Sequence, residues 1–205
     1  MTEIFLPQVD FGEVIYDVAR QGWSFQQQAL SLEWCRQASA LLPSLAWEYF
    51  VDDGEVYQEF EVTTLRSVEQ RYPPVVEEVD QLIGARVRQH AGKQKCLRDW
   101  QPTEVALQRY ATATARIGRH RDYMADAGLI VVVTLQGSGK IMIYPHRFQG
   151  EATHVLETTM GSMMVLAGTG LLSDDALRPT HSVEPVICSP RTSMAFRMPV
   201  GSKPG

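Results

Sequence analysis

From Val105 to Met198 the sequence is cut into short apolar runs separated by turn residues, and this texture restricts the fold more than any other feature. It predicts strands over 105–111, 114–118, 128–136, 139–145, 154–158, 162–167, 181–188 and 191–198. The run Val131-Val132-Val133-Thr134-Leu135 is rich in β-branched residues, which suit a pleated, buried surface. Gln136-Gly137-Ser138-Gly139 lies between two such runs and signals a hairpin. Strands this short, packed this closely along the chain, fit a double-sheet jelly roll.

The first hundred residues read differently. Ser24 is a candidate N-cap for a helix running to Leu41, with Leu30, Trp34, Ala38 and Leu41 on one face and Pro43 at its end. Residues 65–92 read as helix in two parts, the second starting at Pro73-Pro74 and burying Val75, Val79, Leu82, Ile83 and Val87. Between them, Ala46 to Tyr57 places Trp47, Tyr49, Phe50 and Tyr57 around Asp52-Asp53-Gly54, a hairpin signal. Those aromatics suit either core and rim packing or a lid over a substrate pocket. The fold expected is α+β: a double-stranded β-helix (jelly roll) with N-terminal helices packed on one sheet. Residues 1–104 form the helical layer and candidate lid, and 105–200 the jelly-roll core, all in one domain.

Bulk properties remove several classes. A chain of 205 residues is long enough for a sizeable core, and 44% hydrophobic with 21% charged residues is ordinary for a globule. The net charge of -5 argues against broad binding to a phosphate backbone. The short basic run Lys93 to Arg98 reads as a solvated loop. Cys35, Cys96 and Cys188 are widely spaced, which fits reduced, buried thiols. No apolar stretch is long enough for a membrane span and no export signal opens the chain, so a cytoplasmic location is expected.

The chemistry concentrates in the strand-rich part. His120 and Asp122 stand two apart, and alternate side chains of a strand point the same way, so both can reach one ion. With His181 they make a three-point face for a divalent metal and leave further coordination positions open, the 2-His-1-carboxylate pattern of non-haem iron sites. His90, His146 and His154 read as structural. Ten residues after His181 comes Arg191, and six further on Arg197, in a strand whose Met194, Phe196 and Met198 mark it as buried. A buried guanidinium is the right partner for the far carboxylate of a dicarboxylate such as 2-oxoglutarate. A zinc hydrolase can also use two His and one carboxylate, but it leaves the Arg pair without a task. A barrel that binds a ligand without turnover is the remaining alternative.

Tyr110 lies ten residues before His120-x-Asp122, and Arg191 to Arg197 ends in Phe196-Arg197. In this combination the stretch 105–198 resembles the Fe(II)/2-oxoglutarate-dependent dioxygenase superfamily, and within it the AlkB-like branch. The resemblance implies that His120, Asp122 and His181 bind Fe(II), that Tyr110 and Arg191 hold 2-oxoglutarate, and that Arg197 supports its metal-side carboxylate or Asp122. Gln108 stands where that branch carries Asn, and the interval from His181 to Arg191 is short for the repair enzymes. The implied reaction consumes 2-oxoglutarate and O2, releases succinate and CO2, and hydroxylates a C–H bond or oxidatively removes an N-methyl group. The substrate is left open between a small molecule or protein side chain and an alkylated nucleic acid.

Overall fold

The computed structural model describes residues 3–66, 72–122, 124–186 and 190–201. Three helices precede or interrupt the first strands: α1 (Phe11–Gln21), α2 (Leu32–Ser39) and α3 (Pro74–Gln89). The strands are β1 (Trp23–Gln26), β2 (Glu48–Asp52), β3 (Gln58–Arg66), β4 (Glu104–Tyr110), β5 (Arg116–His120), β6 (Leu129–Gln136), β7 (Ser138–Tyr144), β8 (His154–Thr159), β9 (Met163–Ala167), β10 (Thr180–Val183) and β11 (Arg191–Arg197). They form one antiparallel ladder in the order β1-β9-β6-β11-β4-β3-β5-β10-β7-β8, with β2 paired to β3. Its nine residues let β3 pair with β4 through 61–66 and with β5 through 58–59, joining the two halves of the ladder. Side chains from both halves face a common cavity of about 800 Å³. This is the double-stranded β-helix.

One half, β1-β9-β6-β11-β4-β3, carries the helices on its outer face. Strict alternation divides its residues. On β11, Met194 and Phe196 join Val131, Val133, Val105 and Leu107 in the main core, whereas Arg191, Ser193 and Arg197 line the cavity. The helices complete that core with Val14 and Val18, Trp34 and Ala38, and Val79 and Ile83. Each fully buried side chain of this kind contributes roughly 1.5–3 kcal/mol. Pro74 opens α3 at its first turn, where a missing N–H costs nothing.

The N-terminal third departs from expectation. Ser24 is not a helix cap; it is buried in β1, which pairs with β9. The edge of β9 offers a ladder that local helix propensity cannot match. The helix begins later, as α2, with Ser31 Oγ accepting from the Trp34 N–H at 3.1 Å. Residues 1–23 contain α1, whose Phe11, Val14, Ile15 and Val18 recur at helical spacing and are buried; Asp10 caps it, and Gly22 closes it at φ 87°. Residues 65–66 end β3 rather than start a helix, and 67–71 lie outside the described residues. The first 104 residues thus give strands as well as helices to the barrel. Strand β10 stops at Val183, two residues before Pro185, which cannot donate to a ladder; residues 187–188 of the expected strand lie outside the described residues. Cys35 is buried and its thiol pushed up to about 11 by that burial; Cys96 is half-buried and Cys188 lies outside the described residues.

Candidate metal and co-substrate site

His120 ends β5 and His181 lies on β10, and the two are direct cross-strand partners. Their rings sit 4.3 Å apart, centroid to centroid, at 51°. Asp122 falls just past the end of β5, so it is the loop after the strand that delivers the carboxylate. Its Oδ2 comes within 3.7 Å of His181 Nε2. The ligating atoms of all three residues lie within 4.8 Å of one another, and among the described residues no other group of His, Cys, Asp and Glu converges in this way. His154 packs edge-on against Trp23 instead.

The protonation states favour a cation. His120 Nδ1 is 2.8 Å from the Gly118 carbonyl oxygen, which can only accept; Nδ1 therefore donates there, and Nε2 is the ring nitrogen left to ligate. Burial, assisted by His120 and opposed by Asp122, lowers His181 to about 4, so it is neutral near pH 7. For Asp122, burial is the largest single influence and acts upward. The positive fields of His181, His120, Arg197 and Arg178 together outweigh it, and the carboxyl lies below its ordinary range. Two imidazoles and one carboxylate suit Fe(II) or another first-row divalent ion.

Arg191, only 2% exposed, is the cross-strand partner of Tyr110. Its Nε has no hydrogen-bond partner, and no carboxylate pairs with it among the described residues. The guanidinium carbon lies 5.4 Å from the centre of the Tyr110 ring, and burial lowers the group's pKa, partly offset by Tyr110. A buried cation without a counter-charge is costly, and it marks a place built for an anion. Gly139 makes room for it: a Cβ there would sit 2.9 Å from Arg191 Cδ. The Tyr110 hydroxyl donates to Gln108 Oε1 at 3.3 Å. Burial pushes Tyr110 up to about 12, against the opposing fields of Arg191 and Arg197, so it remains a hydrogen-bond donor. Arg197, on the same cavity face as Arg191, lies 3.9 Å from Asp126 Oδ2.

The hairpin expected over 46–57 is present as β2 and the start of β3, and its side chains divide by face. Phe50, Asp52, Glu55 and Val56 line the cavity mouth, with the Phe50 ring 5.2 Å from Phe60. Trp47 stacks under Arg109 instead, and Tyr49 donates to Glu59. Glu55 also pairs at 3.1 Å with Arg147 from the β7–β8 loop, across the mouth. Nothing local in the sequence marks Arg178, Asp126 or Ser193, which join the site only through the fold.

No protein-family model matches this chain, and no curated protein matches it in sequence. Solved structures share its fold. A prolyl-4-hydroxylase from Pseudomonas putida superposes with a TM-score of 0.67 at 15% identity, over 96% of this chain and 100% of the relative. The fold is that of the Fe(II)/2-oxoglutarate oxygenases. An oxidoreductase of the 2OG-Fe(II) oxygenase family from Burkholderia pseudomallei gives a TM-score of 0.63 at 17% identity, covering 96% of this chain and 95% of the other. OsALKBH1 gives 0.53 at 14% identity, covering 87% and 99%. The AlkB-like protein therefore shares the fold, but with a lower score than the hydroxylase.

Proposed function

We propose that the protein is an Fe(II)- and 2-oxoglutarate-dependent dioxygenase that hydroxylates a C–H bond. The observation that carries this reading is one cavity holding both the convergent group His120, Asp122, His181 and the buried Arg191, which has no carboxylate partner among the described residues. Bound iron would supply the activation of O2 that couples decarboxylation of 2-oxoglutarate to substrate oxidation. The chain's residues do the rest. His120, Asp122 and His181 would hold the ion at the cavity wall. Arg191 would receive the distal carboxylate of 2-oxoglutarate through a guanidinium fork, with the Tyr110 hydroxyl turning from Gln108 Oε1 to donate beside it. Arg197 sets the charge near Asp122 and the metal-side carboxylate. The apolar walls Ile141, Val132, Met164 and Leu166 exclude water from the reacting region.

For the substrate, we favour a protein side chain or a small molecule over an alkylated nucleic acid. The cavity-lining residues that are not buried carry both signs of charge, Asp52, Glu55 and Asp175 as well as Arg121 and Arg147. A track for a phosphate backbone needs one sign. The test is turnover. With Fe(II), ascorbate and oxygen the protein should slowly convert 2-oxoglutarate to succinate; N-oxalylglycine should block this, and Zn(II) in place of iron should give none. Peptides or amino acids should accelerate succinate release and methylated oligonucleotides should not. Acceleration by oligonucleotides alone would reverse the substrate assignment, and no consumption of 2-oxoglutarate under any condition would end the dioxygenase reading.

A further inference from the structure

Strand β5 ends at His120, so the ladder that orients His120 does not reach Asp122. The neighbouring register is also irregular: β10 and β5 pair at His181↔His120 and then shift before Val183↔Ile117. A carboxylate ligand on an unpaired backbone needs another source of orientation, because a displaced ligand loses affinity steeply.

Arg178 stands three residues before His181 and is 5% exposed. Its Nη1 donates to the main-chain carbonyl of Asp122 at 3.1 Å, and its Nε donates to the carbonyl of Asp175 at 3.2 Å. Nη2 donates to Met124 Sδ, on the far side of the same loop. The platform beneath it is itself tied down. Asp175 Oδ1 accepts from the Gly170 N–H at 3.0 Å, and Asp174 Oδ1 accepts from the Ala176 N–H at 2.8 Å. A second tie runs between the same two segments, from Arg121 Nε to Thr180 Oγ1 at 3.3 Å. The loop bearing Asp122 and the segment leading to His181 are thus bolted together by side chains where backbone pairing stops.

We infer that Arg178 is a positioning residue that fixes the loop carrying Asp122, and through it the metal-ligating direction of that carboxylate. The inference rests on the metal-site reading above. Its electrostatic consequence runs the other way: a cation close to a divalent ion repels it. If charge were all that mattered, removing Arg178 would tighten metal binding; if orientation dominates, removal weakens it. The planar fork is what allows one side chain to serve several acceptors in fixed directions, which a lysine ammonium cannot reproduce.

Anaerobic Co(II) titration, followed by d–d absorption, decides the matter. Wild type should show a saturable spectrum that His181→Ala loses. Arg178→Met should bind Co(II) about 10-fold more weakly or worse, with an altered spectrum at saturation, while circular dichroism stays native. Arg178→Lys should recover only part of the affinity. Arg178→Lys keeps the charge and loses the fork, and it serves as the deciding variant if Arg178→Met does not fold. Wild-type affinity and spectrum in Arg178→Met, or in Arg178→Lys where that variant decides, would overturn the positioning role. A wild type that gives no Co(II) spectrum would instead refute the metal-site reading itself.

Discussion

The two halves of the barrel hold their functional groups by different means. On the helix-covered half, Arg191 and Tyr110 sit on β11 and β4, whose register runs unbroken from Arg191↔Tyr110 to Arg197↔Glu104. Their alternate neighbours Met194, Phe196, Leu107 and Val105 are locked in the main core. On the other half, His120 and His181 sit on short strands with a register shift, backed by the smaller cluster of Ile117, Val183 and Val186. Asp122 lies beyond any strand. The difference teaches that a dry core can hold a cavity-facing cation by backbone register alone, whereas Asp122, past the end of its strand, is held through side-chain ties.

The sharpest way to break this comparison is at the metal face. His181→Ala should reduce turnover to background while leaving the melting temperature near that of wild type, whereas His146→Ala and His154→Ala should keep full activity. Activity in His181→Ala would remove the ligand assignment.

The two faces of β11 should then separate. Phe196→Ala empties a fully buried site and should cost about 3–5 kcal/mol, seen as a melting temperature lower by roughly 10 °C. Arg191→Ala should do the reverse. It should leave stability equal or higher, since it removes an unpaired buried charge, and weaken 2-oxoglutarate binding about 100-fold, equivalent to ~3 kcal/mol. If both variants lose stability equally, the division of the strand into a core face and a binding face is wrong.

Gly139→Ala sharpens the same point with a smaller change. The added methyl meets Arg191 Cδ and displaces the guanidinium without removing it. Isothermal titration should show several-fold weaker 2-oxoglutarate binding and an unshifted melting curve.

The smallest effect belongs to the helical layer. Asp80 on α3 is buried; that burial pushes its carboxyl up to about 7, against a lowering bond from the Gln101 amide at 2.9 Å and with Glu77 adding to the rise. The folded chain keeps this proton to about pH 7, while the unfolded chain releases it near pH 4. The folded state therefore binds more protons in that window, and wild-type stability falls as pH rises through it. Asp80→Asn should be more stable than wild type at pH 8 by roughly 1–2 kcal/mol, with the gap closing toward pH 4. A gap independent of pH would show that the carboxylate is already ionised in the fold.

Most of the barrel was legible in the sequence because its strands are β-branched and separated by glycine turns. The predicted runs at 105–111, 128–136, 139–145, 162–167 and 191–198 meet β4, β6, β7, β9 and β11 within a residue or so at each end. The N-terminal third was not legible in the same way. Trp23-Ser24-Phe25-Gln26 is too short to show a period, and only the waiting edge of β9 makes it a strand. The convergence of His120, Asp122 and His181 was legible because two His and one carboxylate in this order can meet once paired strands bring them together. Arg178 and Asp126 were not, since a charged residue near a ligand has no local signature and its task depends on which carbonyl or guanidinium the fold brings to it.

The central claim is that the metal face and Arg191 act on one molecule of 2-oxoglutarate. Anaerobic titration of the Fe(II)-loaded protein with 2-oxoglutarate tests this most directly, through the charge-transfer absorption of the chelate. The band should grow to saturation in wild type and in His154→Ala. It should be absent in Asp122→Ala, and in Arg191→Ala it should require about 100-fold more 2-oxoglutarate. A wild-type protein that takes up Fe(II) but develops no band, or an Arg191→Ala curve that overlays wild type, would contradict it.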